Sequence, residues 1–157
     1  MVQIIIIIAL IVTGLNVYAY FNPGLELSRY SVLYFLRAYN DNNRKEDLNK
    51  IKVAVIKYYD EKGELPADIG WCSRIVSILH PDAKDALNPY FTSSGIPEDP
   101  SFRGTHQDYF YRREDRDTFI LLARFENLPP DSEKYNYSGC FDWPGKDVYN
   151  YKIEVSL

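Results

Sequence analysis

Histidine, cysteine and methionine are scarce in this 157-residue chain, at two, two and one. His80 and His106 stand apart from any nucleophile and from each other, and both read as ordinary surface or turn residues. No Gly-x-Ser-x-Gly, His-Glu-x-x-His or phosphate-cradling glycine loop occurs, so no enzyme is expected. The carboxylates of "EDRD", residues 114–117, suit a solvated hairpin turn better than a catalytic acid and base. Cys72 and Cys140 are the only cysteines and lack close-spaced partners, which disfavours zinc. In an exported domain they are disulfide candidates, closing a loop worth up to about 4 kcal/mol by chain entropy. Two free buried thiols are the alternative.

A basic stripe is also missing. The net charge is −4 and the 18 Lys and Arg residues are scattered, so a footprint for a run of phosphates is absent and nucleic acid is not an expected partner. What the chain has in excess is tyrosine, fourteen residues, half of them after position 88. That bias favours strand-rich, half-exposed surface. Asn136-Tyr137-Ser138 is a formal glycosylation sequon of a kind common by chance.

Charge is wholly absent from residues 2–21, and no acidic residue precedes Glu26. A helix of about 20 such residues spans a hydrocarbon layer of ~30 Å, so residues 1–22 read as a membrane anchor. Ile4, Ile5, Ile6, Ile7, Ile8, Leu10, Ile11 and Val12 form its apolar surface for subunit packing. A signal peptide cut after Ala19 is one alternative, since Val17-Tyr18-Ala19 offers small residues at the cleavage positions, although no Lys or Arg precedes the aliphatic core. A buried core helix is the other, although such a helix normally carries a polar face. Arg29 and Arg37 follow the apolar run, and by charge alone they favour a cytoplasmic C-terminal side.

Asn22-Pro23-Gly24 predicts a kink or short loop at the exit. Val32, Phe35, Leu36 and Tyr39 then recur at helical spacing, and Leu48, Ile51, Val55 and Tyr58 do so again. The second stripe is rotated roughly 130° from the first, and "YNDNN" lies between them. Residues 23–63 therefore read as an amphipathic stalk with a break near residues 41–43, where Asn43 and Glu46 match a capping box. Gly63 and Pro66 end it. Residues 64–157 read as a small α+β head. "WCSRIVSILH" and "DAKDALNPYF" suggest short helices or turns, and "DYFYRRE" and "TFILLARFE" suggest an antiparallel hairpin. Phe119, Leu121, Ala123 and Phe125 alternate onto one face, as do Tyr149, Tyr151, Ile153 and Val155. A three-stranded antiparallel sheet packed on the second helical segment is the economical arrangement.

The run "RKEDLNKIKVAVIKYYDEKGELP", residues 44–66, resembles the helix end of type IV pilin-like proteins, including the major pseudopilins of type II secretion. Arg44, Asp47, Leu48, Ile51, Ala54, Val55, Tyr58, Tyr59, Gly63 and Pro66 carry the resemblance. "FNPGLELSR" before it and "IPEDP", "FILLARFEN" and "YNYKIEV" after it occur in the family's order. The resemblance implies a pilin ladle, a long N-terminal helix packed on a small sheet. Leu48, Ile51, Val55, Tyr58, Tyr59, Gly63 and Pro66 would form the junction of helix and head. It implies a single-pass subunit of the cytoplasmic membrane with an extracytoplasmic head and other pilin-like subunits as partners. An anchored or secreted pilin-like domain that binds a ligand or envelope component without polymerising is the alternative. No cofactor is expected; calcium, which some major pseudopilins bind in a C-terminal loop, would fall near Asp131, Asp142 and Asp147, whose spacing forms no recognisable oxygen cage. The chain departs from the family at its start. No basic, glycine-ending leader is visible, and Ile5 stands where the mature family carries glutamate if Met1 is the mature start.

Overall fold

A computed structural model describes residues 2–67, 82–91, 95–100, 109–128, 132–135 and 149–157. Its elements form two compact units. One comprises residues 1–42 and 125–133, and the other residues 43–124 and 134–157.

In the first unit, α1 (Val2–Phe21) is a helix with almost no buried side chain. Isoleucine is a modest helix former in water because its β-branch restricts χ1. In lipid that preference is overridden, since only a helix or a closed barrel satisfies every backbone group. The helix stops at Asn22, whose backbone and side-chain N–H groups both donate to the Tyr18 carbonyl (2.9 and 3.1 Å). Gly24 supplies the left-handed φ of 84° that the turn needs. A 3₁₀ helix follows at Glu26–Tyr30, and α2 (Val32–Lys62) then begins.

α2 runs unbroken through residues 41–43, so the expected break there is corrected; the interruption lies at residues 22–31. Asn-Asp-Asn-Asn is a poor helix sequence because those side chains compete for local backbone groups. Here the first two are engaged elsewhere. The half-buried Asn40 donates from Nδ2 to Glu126 Oε1 at 3.4 Å. The buried Asp41 carboxylate accepts the N–H groups of Glu126 and Asn127 at 2.9 and 3.0 Å. Asn127 Nδ2 in turn donates to the Tyr34 carbonyl at 2.8 Å. We expect Asp41→Ala to cost about 2–3 kcal/mol, because two charge-assisted bonds are lost and both amides are left wanting an acceptor. A denaturant midpoint shift at unchanged slope checks this.

In the second unit, α3 spans Asp82–Leu87 and a 3₁₀ turn follows at Asn88–Tyr90. β1 (Phe110–Arg113), β2 (Thr118–Ala123) and β3 (Tyr151–Ser156) form an antiparallel sheet in that order. The class is therefore α+β. Tyr111 pairs with Leu121, and Leu121 with Ile153. β2 is central and buried on both faces from Phe119 to Ala123, beyond the single buried face that its alternation suggests. One face carries Tyr111 and Phe119, whose rings lie 5.9 Å apart. The other packs Phe110, Ile120 and Leu122 against Tyr149, flanked by Tyr135. Two sequence expectations are corrected by this packing. Tyr149 lies outside β3 and packs with Phe110 at 5.5 Å, away from the face that Tyr151, Ile153 and Val155 would share. Phe125 lies beyond the end of β2 and belongs to the first unit.

Candidate membrane anchor and helix–sheet junction

α1 presents its apolar side chains outward from Val2 to Val12. Ile4, Ile5, Ile6, Ile7, Ile8, Leu10, Ile11 and Val12 are all exposed, and Ala19 is the one buried residue of the helix. A core helix would cover one side against its own chain, so the buried-core alternative fails for the described residues. The helix is long and apolar enough to cross a membrane.

Its C-terminal end is tied into the first unit. Arg37 Nη1 donates to the Ala19 carbonyl at 2.7 Å, placing a cation where the helix leaves carbonyls unpaired. Asn16 accepts the Leu33 N–H at 3.1 Å and donates to the Val12 carbonyl at 2.8 Å. Ser31 Oγ accepts the Tyr34 N–H at 3.1 Å and donates to the Ser28 carbonyl at 2.7 Å. The first turn of α2 is thus capped by side chains, one of which comes from α1.

In the second unit, Leu48, Ile51, Ala54 and Val55 are buried along one side of α2. Tyr58 and Tyr59 are half-buried in its last turns. Tyr58 meets the Tyr90 ring edge-on at 5.9 Å, while Tyr59 donates its hydroxyl to Asp117 at 2.8 Å. Asp47 Oδ2 accepts the Tyr109 hydroxyl at 3.0 Å. Asp47 and Tyr59 stand about 18 Å apart along the helix at 1.5 Å per residue. Their partners lie just before β1 and just before β2, so the hairpin is held to the helix at both ends. Gly63 takes a φ of 73° and donates to the Tyr59 carbonyl at 2.8 Å, ending α2 in the left-handed conformation. Pro66 is buried, and its carbonyl accepts the Tyr111 hydroxyl at 2.8 Å. Residues 114–117 form the β1–β2 turn, in which Glu114 and Asp115 donate their N–H groups to the Thr118 carbonyl.

A buried polar contact joins two residues whose pairing the sequence did not single out. Arg44 meets Asp99 in a fork, Nε to Oδ2 at 2.8 Å and Nη2 to Oδ1 at 3.1 Å. Both side chains are almost fully buried. Arg44 lies within the helix-end pattern and Asp99 within "IPEDP", but no local periodicity links residues 55 positions apart.

Three tyrosines are held in the neutral state. Burial, then the charges of Asp47 and Asp99, push Tyr109 far above the ordinary tyrosine value. The hydrogen bond to Glu61 raises Tyr90 to about 12, and that to Asp117 raises Tyr59. Above pH 10 the unfolded chain releases these protons while the fold retains them. Their contribution is therefore intact below pH 10 and is lost as pH rises further. Tyr109 alone is expected to steepen the loss by about 1.4 kcal/mol per pH unit. Denaturant unfolding from pH 9 to 11 should show this, and Tyr109→Phe should flatten the slope.

Among the described residues, no group of three or more His, Cys, Asp or Glu side chains could hold a metal ion. Cys72, Cys140, His80, His106, Asp131, Asp142, Asp147, the sequon at Asn136 and "WCSRIVSILH" lie outside the described residues. No family model, curated protein or solved structure matches the chain.

Proposed function

We propose that the chain is a pilin-like or pseudopilin-like structural subunit of a type IV pilus or type II secretion type assembly. In this reading α1 anchors it in the cytoplasmic membrane and the α+β unit lies on the extracytoplasmic side. The observation that carries the reading is the outward apolar surface of α1, which stands exposed among the described residues from Val2 to Val12. Lipid and the equivalent helices of other copies are the two surfaces that can cover it. The resemblance of residues 44–66 to the pilin-like helix end, ending at Gly63, supports the same reading.

The anchor remains attached in this account. Cleavage after Ala19 would remove the acceptors of the Leu33 and Arg37 hydrogen bonds and expose the start of α2.

A non-polymerising anchored domain is the second reading, favoured by the absence of any carboxylate side chain along Val2–Phe21. Photocrosslinking from p-benzoylphenylalanine placed at Ile7, in membranes, separates the two. The structural subunit predicts a ladder of dimers and higher multiples. Lipid adducts on a monomer, with no ladder, would assign the chain to the second reading.

A further inference from the structure

The two apolar stripes of α2 have different fates. Leu48, Ile51 and Val55 are buried, whereas Val32, Phe35, Leu36 and Tyr39 stand open along the first two turns. Tyr30, Phe35 and Tyr39 are 71%, 65% and 67% exposed, although all are large aromatics at helical or near-helical spacing. Nothing among the described residues covers this face.

Its position along α1 indicates what does. The Leu33 N–H reaches Asn16, five residues before the end of α1, and Leu33 lines an open groove with Val12 and Tyr20. Five residues correspond to about 7.5 Å of helix, so the chain turns back before α2 starts. Arg37 then meets Ala19, so the two helices advance together from that depth. If α1 spans the bilayer, the first turns of α2 lie beside its final turns, at the boundary of acyl chains and headgroups.

The local chemistry fits that depth. Ser28 and Ser31 are buried and bonded, and the Leu33 and Tyr34 amides are capped by side chains, as backbone away from water requires. Exposed Glu26 and Arg29 on the 3₁₀ helix keep the segment at the headgroup level and out of the hydrocarbon centre. Tyrosine is enriched at this boundary because its ring is apolar and its hydroxyl wet.

We infer that Leu27, Tyr30, Val32, Phe35, Leu36 and Tyr39 form a second membrane-contacting surface, seated in the lipid interface beside the end of α1. This inference rests on α1 as a membrane-spanning helix. It makes the start of α2 a monotopic element that fixes the rotation and depth of the first unit.

The test uses the full chain reconstituted in phosphatidylethanolamine and phosphatidylglycerol vesicles. A phospholipid bearing a diazirine on its acyl chain near the headgroup is photolysed, and adducts are mapped by mass spectrometry. Adducts on α1 and on Tyr30, Phe35, Leu36 and Tyr39 are expected, with Phe35→Asp reducing the stripe's yield and sparing that of α1. Labelled α1 with an unlabelled stripe would overturn this inference and leave the anchor standing. An unlabelled α1 would overturn both.

Discussion

Arg44→Met is expected to destabilise the second unit by about 3–5 kcal/mol, because it leaves the Asp99 carboxylate buried without its forked partner. Asp99→Leu should cost a similar amount by removing the carboxylate that the buried guanidinium forks onto. The combined variant, Arg44→Met with Asp99→Leu, should recover much of that loss, since an apolar pair of comparable volume avoids the desolvation of both ions. The coupling in this double-mutant cycle is the diagnostic quantity, read from denaturant midpoints with unchanged slopes. If the single changes were as mild as an exposed ion pair, at under about 1 kcal/mol, the buried fork would not be the main link between α2 and the loop before β1.

The second large effect concerns the membrane. Ile11 lies at the middle of α1 and faces outward. Ile11→Arg places a cation at the centre of the span, where insertion scales assign about 2.5–3.5 kcal/mol against it. The expected result is a fall of roughly a hundredfold in the ratio of inserted to uninserted chain, measured by flotation of newly made chain with membranes. Val2→Arg, at the end of the helix, should change little, because the side chain can reach the headgroups. Equal effects at both positions would show that α1 does not cross the hydrocarbon layer.

Much of the architecture can be read directly from the residues. Twenty positions without a charge declare an apolar helix long enough to cross a membrane, and exposure along α1 sets aside a buried core helix. The strands Phe110–Arg113, Thr118–Ala123 and Tyr151–Ser156 declare themselves by alternation and β-branched or aromatic content. Gly63 is legible because few residues other than glycine end a helix with a positive φ.

Other features depend on partners distant in sequence. "YNDNN" reads as a helix break because its local propensities are poor. Asp41 nevertheless bonds to amides about 85 positions later, and α2 continues. Arg44 and Asp99 are unremarkable singly and become a site only when folding joins them. Tyr149 keeps the period of β3 in sequence but sits before the strand, paired as an isolated bridge to Tyr135. The stripe from Val32 to Tyr39 shows the deeper ambiguity. Periodicity reports that a face is apolar, and it is equally silent on whether protein or lipid covers it.

The account turns on α1 remaining attached and embedded. The most direct measurement is the intact mass of the chain recovered from native membranes after alkaline carbonate washing. The account predicts a chain that stays in the membrane pellet and retains residues from α1 through Leu157. A washed-off, soluble chain beginning at Tyr20 would contradict it.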